Sequence, residues 1–339
     1  MNTTNRIYLT NHETIDFTFK QNRFDFIVNE IPLKPFSKEK GKYLILHIKK
    51  EFTSTWDLLD RIEDVLDIRS SEIGYAGLKD KNATTTQYIS LPMRFSKDIE
   101  QIQTKHIKII GKYKHYEKLK IGDLKGNAFT INLLDVKADD LPNIYQSLSK
   151  IQKHGMPNYF GFQRFGTDGN FDYAKAVVYG DEIINDHKLK RMMISAYQSY
   201  FFNAWLCKRV QDAQKQGLNK LELLDGEIVY DYTLDKSYSV QNIDSIKDKY
   251  SKKLLCPSGL LPGRKVNRST SKARKIEEQF DDEYIHDKGY RRAAWIYPQN
   301  IKNKYNKEEN ILQLQFELPK GSYATVLIEN LANKIIKTA

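Results

Sequence analysis

The chain has 339 residues, 40% hydrophobic and 29% charged, with a formal net charge of +11. That length points to two domains rather than one, and no apolar run approaches the roughly 20 residues a membrane span needs. The opening residues carry Arg6, His12, Glu13 and Asp16 instead of an apolar block, so no secretory signal is expected, and Cys207 and Cys256 have neither disulfide-framework nor zinc-site spacing, which fits a reducing cytoplasm.

Residues 43–48 read as a strand, and Thr55 as the cap of a helix whose apolar positions Trp56, Leu59, Ile62 and Leu66 recur at spacings of three and four. Residues 73–77 form a strand leading towards Asp80, and 87–91 alternate as the strand that returns from it. Extended runs follow at 106–116, 118–121 and 128–134, and 141–154 is helical by spacing. Further on, Met192, Ile194, Tyr197, Phe201, Ala204, Trp205 and Val210 make a long helical stripe that reads as core. A loop is expected at 225–235, a Pro/Gly breaker at 256–263, a helix at about 270–280, a polar linker at 299–310, a strand at 311–318 and a last helix at 322–337. The pattern is α+β, built on a mixed and mostly antiparallel sheet.

Basic charge is concentrated in two places. From Lys247 to Lys275 ten Lys or Arg stand against one acid, Asp248, and from Lys105 to Lys125 seven lysines stand against Glu117 and Asp123. A solvated lysine-rich surface accounts for either run alone. Two clusters in separate regions also suit a long polyanion, because each phosphate contact releases condensed counterions.

Residues 74–87 place the carboxylate of Asp80 between Lys79 and Lys81, after an apolar run and beside Gly74 and Gly77. Taken by itself, Leu78-Lys79-Asp80-Lys81-Asn82 is a hydrated turn. Three further strings accompany it in order: Lys125-Gly126-Asn127-Ala128-Phe129, then Pro157-Asn158-Tyr159-Phe160-Gly161-Phe162-Gln163-Arg164-Phe165-Gly166, then Leu318-Pro319-Lys320-Gly321-Ser322-Tyr323-Ala324-Thr325. Together they resemble the TruD family of tRNA pseudouridine synthases, in which the aspartate of Gly-x-Lys-Asp is the essential residue. Weaker echoes at 25–30 and at Arg291-Arg292-Ala293 extend the resemblance over almost the whole chain.

The resemblance implies a discontinuous pseudouridine-synthase-like catalytic domain, residues 1–152 and 305–339. An α/β insertion (TRUD) domain, residues 153–304, interrupts it, and the two form a V with an RNA-binding cleft. It further implies isomerisation of uridine to pseudouridine, at uridine 13 of the tRNA D-arm, by a cytoplasmic monomer with no cofactor and no metal. Asp80 is then the catalytic carboxylate. Lys20 matches the cation that pairs with it, which a carboxylate in a closed apolar pocket needs if it is to stay charged. Lys79, as the neighbour of Asp80 along an extended chain, points the other way and is a poor partner for it.

Phe26, Asn127, Phe129 and Tyr323 match the pocket that takes the flipped-out base. Asn127 has the donor and acceptor to read a uracil edge, and Tyr323 stands where the family often has phenylalanine. Lys79, Asn158, Arg164, Arg291, Arg292, Lys272, Arg274 and Lys275 are candidates for contacts to RNA, although a hinge between domains would also use Asn158 and Arg164. A non-catalytic RNA-binding protein on the same scaffold is the alternative, and the presence of Asp80 and Lys20 argues against it. A retaining glycosidase would need a second carboxylate at roughly 5 Å, and no such acid stands out near the motif.

Overall fold

The computed structural model of the protein describes residues 6–19, 22–165 and 171–336. In chain order the elements begin with β1 (Thr18–Phe19), β2 (Phe26–Pro32), β3 (Tyr43–Lys50), α1 (Thr55–Leu66), β4 (Gly74–Tyr75), β5 (Thr84–Pro92), β6 (Ile107–His115) and β7 (Leu124–Leu134). Then come α2 (Leu141–His154), β8 (Met156–Pro157), α3 (Phe171–Tyr179), α4 (His187–Lys215), β9 (Ile228–Asp231), β10 (Lys236–Ser239), α5 (Lys247–Ser251), β11 (Leu255–Leu261), α6 (Ser271–Glu277), β12 (Tyr290–Ala293) and β13 (Trp295–Ile296). The chain closes with β14 (Gln299–Asn306), β15 (Ile311–Pro319) and α7 (Ala324–Ala332).

Two compact units form. One holds residues 16–139 and 299–321; the other holds, of the described residues, 6–15, 140–298 and 322–336. The first is a sheet in which nine strands are seen among the described residues, ordered β14-β15-β7-β2-β5-β3-β6, with β1 beside β7 and β4 beside β5. Strands β2 and β5 run parallel. The other neighbours are antiparallel, so the sheet is mixed and mostly antiparallel and the class is α+β.

Helix α1 lies on this sheet because its apolar residues share one side. Leu58, Leu59, Ile62 and Leu66 pack with Leu44, Leu46, Ile48, Ile89 and Leu91 in one core, each large aliphatic side chain contributing about 1.5–3 kcal/mol by leaving water. Its cap is Ser54, not Thr55. The Ser54 hydroxyl accepts from the Asp57 N–H at 3.0 Å, and the Asp57 carboxylate accepts from the Ser54 N–H at 2.8 Å. Thr55 is thereby released to point inward.

The polar run 299–310, read from sequence as a linker, contains β14, which pairs with β15 from Gln299 to Asn306. An edge strand that is mostly exposed on both faces needs no apolar alternation, so periodicity does not reveal it.

In the second unit the stripe on α4 is core, as its spacing requires. Tyr197, Trp205, Leu206 and Val210 are buried, while Met192 at its first turns is 53% exposed. The segment read as a breaker is β11, buried along its whole length. Its glycine explains the misreading: a Cβ at Gly259 would lie 2.5 Å from the Trp205 ring, so the residue that looks like a turn signal lets α4 press against a strand. The expected loop at 225–235 likewise contains β9, which pairs with β10 and β11.

These units cut the chain at other points than the expected 152/153 and 304/305. Helices α2 and α7 contact each other within the second unit, and β14 belongs to the large sheet. Among the described residues no helix is long and apolar enough to cross a membrane.

Candidate active site

Strand register lays out rows across one face of the large sheet. Lys50 faces Thr85, Thr85 faces Val28, Val28 faces Phe129 and Phe129 faces Phe316. One row along, Glu30 faces Asn127 and Asn127 faces Leu318. Alternate residues of a strand share a face, so Phe26, Val28 and Glu30 project on the same side as Asn127, Phe129 and Lys50.

The rings form a continuous apolar wall. Phe26 and Phe129 are buried with centroids 6.1 Å apart, Phe19 stands edge-on to Phe26 at 5.8 Å, and Phe316 stacks on Phe129 at 5.4 Å. Phe19 and Phe316 were not singled out by sequence reasoning. The signal for Phe316 was present in the alternation of 311–318, which points it to the same side as Leu312, Leu314 and Leu318. Beside the wall, Asn127 Oδ1 is buried and makes no hydrogen bond. Buried polar atoms are nearly always satisfied, so this oxygen is an acceptor open to a ligand N–H. A Cβ at Gly126 would meet the Leu318 carbonyl oxygen at 2.1 Å; glycine there lets β7 and β15 close next to Asn127.

The loop carrying Asp80 is tied to this face from below. Lys79 is 8% exposed; its ammonium donates to Glu30 Oε2 at 2.6 Å and its N–H to Thr55 Oγ1 at 2.8 Å. The Thr55 hydroxyl donates in turn to Gln87 Oε1 at 3.0 Å, and Glu30 Oε1 accepts from the Tyr88 N–H at 3.1 Å. Lys79 is therefore an internal anchor, which corrects its place among the candidate RNA contacts: a buried cation is tolerated only with partners of this completeness.

Asp80, the next residue, is exposed. It is not shut in a dry hollow as expected, because the same bonds that draw Lys79 inward turn its neighbour outward.

Beneath the loop lies a second buried lysine. Lys50 is 1% exposed, and its ammonium donates to the Thr53 carbonyl and, at 3.5 Å, to the Asp80 carbonyl. Burial, and after it the charge of Lys79, push its pKa from 10.5 down to about 8, with Asp80 and Asp57 pulling the other way. Lys50 is thus mainly charged at neutral pH. Lys20, the expected counterion, lies outside the described residues. Lys50 was missed by sequence reasoning, although the alternation that buries Leu44, Leu46 and Ile48 also carries residue 50 inward.

The remaining candidates lie in the other unit and are mostly structural. Asn158 is 5% exposed, its Nδ2 donates to the Ala293 carbonyl at 2.9 Å, and its Oδ1 accepts from Arg292 at 2.9 Å. The Arg292 guanidinium lies 3.9 Å from the Phe160 centroid and 5.9 Å from that of Tyr323, and burial pushes its pKa down to about 10. Arg291 bonds Glu277 at 2.6 Å and the Ser258 carbonyl. Arg164 donates to Ser195 and Ser199.

Asn158, Arg291 and Arg292 are thus committed inside the fold, correcting their reading as RNA contacts, while Tyr323 packs on Phe160 at 6.1 Å. In the basic run, Arg274 is held by Asp281 at 2.8 Å and by Glu277 at 3.5 Å, whereas Lys272 and Lys275 are exposed.

Residues 3–182 and 172–331 match the family model of TruD, tRNA pseudouridine synthase D. The chain belongs to the TruD family. Among curated TruD relatives, the tRNA pseudouridine synthase D of Nitratiruptor sp. is 39% identical over 98% of this chain and 99% of that protein, and the one from Wolinella succinogenes gives the same identity and coverage. That of Helicobacter hepaticus is 35% identical over 96% of this chain and 95% of its own. Among solved structures, a Methanosarcina mazei protein described as a TruD superposes with a TM-score of 0.71 at 23% identity, covering 98% of this chain and 97% of that one, which shows a shared fold. The TruD match takes in the strands bearing Phe26, Asn127 and Phe129 and the loop bearing Asp80.

Proposed function

We propose that this TruD protein isomerises uridine to pseudouridine in tRNA, at uridine 13 of the D-arm, with Asp80 as the carboxylate that carries the chemistry. The reaction breaks the N1–C1′ bond, turns the base and joins C5 to C1′. N1 gains a proton and C5 loses one, so no group leaves and no electrons are exchanged with a partner. The observation that carries the reading is the pairing of two features on one sheet face: an exposed acid on a loop pinned by Lys79–Glu30 and Lys50, and an unsatisfied Asn127 oxygen beside buried rings.

Each part has work to do in that reaction. Lifting a uridine out of a helix costs a few kcal/mol of stacking, which Phe26 and Phe129 offset by offering apolar ring surface. Asn127 Oδ1 accepts the uracil N3–H and so tells uracil from cytosine, which has no proton on N3. Lys50 beneath the loop donates to the Asp80 carbonyl and so helps hold the acid in place when the substrate covers it.

Lys20 and Tyr323 are included among the proposed functional residues on the strength of the family resemblance alone. The same reading has the protein act as a cytoplasmic monomer. On the same resemblance, residues 1–152 and 305–339 are read as its catalytic domain and residues 153–304 as the insertion.

Carbodiimide mapping of pseudouridine in tRNA from cells with and without the gene tests the reaction and its position together. The expected result is a stop at uridine 13 that disappears with the gene. A stop that persists without the gene ends the proposal.

A further inference from the structure

At the end of the sheet that carries the Asp80 loop, two large rings face solvent. Phe24 is 56% and Phe52 47% exposed. They are not independent: the Arg23 guanidinium lies 4.1 Å from the Phe24 centroid and 4.3 Å from that of Phe52, so cation and rings form one layered surface. Arg23 Nε also donates to Glu51 Oε2 at 3.1 Å, and His106 stands edge-on to Phe52 at 5.4 Å.

Phe52 has φ of +52°, a left-handed conformation that bulky residues rarely adopt. A strained backbone that presents an aromatic ring to water gains nothing for folding, and such strain collects where function needs it. The position is close to the chemistry. Phe52 follows Lys50 by two residues, Lys50 touches the Asp80 carbonyl, and the Arg23 carbonyl accepts from the Thr84 N–H at 3.2 Å, four residues after Asp80.

We propose that Phe52 and Phe24, bridged by Arg23, form a stacking platform for an unpaired nucleobase of the RNA next to the everted uridine. The inference rests on the proposed RNA-modifying function and deepens it. A nucleobase suits the surface because it is flat and stacks on aromatic and guanidinium planes without regard to sequence. Lys49 and Lys81, both exposed and each in a loose 3.4 Å ion pair, with Glu51 and Asp57 respectively, would turn to the adjoining phosphates. Removing the target base from its stack leaves its neighbours exposed, and a platform outside the pocket restores what they lose.

The test uses a full-length tRNA transcript with 2-aminopurine beside the target uridine. Wild-type enzyme is first required to form pseudouridine on the unlabelled transcript; failure there sinks the underlying function and not the platform. Given activity, binding of wild type should shift the 2-aminopurine fluorescence, and Phe52→Gly and Phe24→Ala should lose that shift and raise KM roughly tenfold with kcat little changed. Phe52→Tyr should retain both. Glycine suits the positive φ, so Phe52→Gly should melt within a few degrees of wild type. If both Phe52→Gly and Phe24→Ala keep the wild-type KM and fluorescence shift, the platform is refuted.

Discussion

The two units use cations drawn into the fold for opposite ends. In the large sheet Lys79 and Lys50 are buried so that the chain between and above them can hold Asp80 in solvent. In the second unit Arg291 and Arg292 are half-buried and tie segments of the fold together, Arg291 through Glu277 and Arg292 through Asn158. Lys79, Arg291 and Arg292 all sit in family-like strings of sequence. Basic residues in a motif of an RNA enzyme are thus not all there for phosphate, and burial separates those that position a group from those that bind one.

The sharpest way to break that contrast is at the acid itself. Asp80→Ala removes a side chain that the fold does not bury, so turnover should fall on the order of a thousandfold or more while the melting temperature and tRNA affinity stay near wild type, read by single-turnover assay and filter binding. In the second unit the expectation reverses. Glu277→Ala strips Arg291 of its carboxylate at 2.6 Å and the Ser269 N–H of its acceptor at 2.9 Å, which should cost about 3–5 kcal/mol in urea unfolding, with tRNA affinity preserved in the folded fraction.

Lys50 gives a pH signature. Its folded pKa is near 8 against 10.5 for the unfolded chain, so between those values the unfolded state holds more protons and stability rises with pH. Equivalently, this contribution is complete above 10.5 and is lost as pH falls through 8. Lys50→Met should flatten that rise in urea midpoints measured across the window. The same variant should weaken catalysis by loosening the Asp80 loop, visible in kcat more than in KM.

The smallest effect is expected at the surface. Lys272→Ala with Lys275→Ala should weaken tRNA binding several-fold and reduce the salt slope by roughly two ions, whereas Arg274, held by Asp281 and Glu277, should contribute through stability. A salt titration of both variants distinguishes the two roles.

Much of the fold could be read in advance. The spacing of Leu59, Ile62 and Leu66 marks α1, the stripe from Ile194 to Val210 marks α4, and alternation marks β15, because each element must turn an apolar side towards a neighbour. The reading failed at β14 and β11. One is an edge strand without a buried face and the other a strand buried on all sides, so neither shows the half-apolar pattern that betrays a strand.

What the sequence determined by itself is the family-like arrangement of motifs, the α+β class and the singling out of Asp80, Asn127, Phe26 and Phe129. Only the tertiary structure decided which charges lie inside. Lys79 meets Glu30, 49 positions away in the chain, and Lys50 meets the Asp80 carbonyl, 30 positions away. Periodicity reports which side of an element a residue occupies. The partner that makes burial of a charge tolerable comes from a distant segment, and pairing across such distances is settled by how strands register in space.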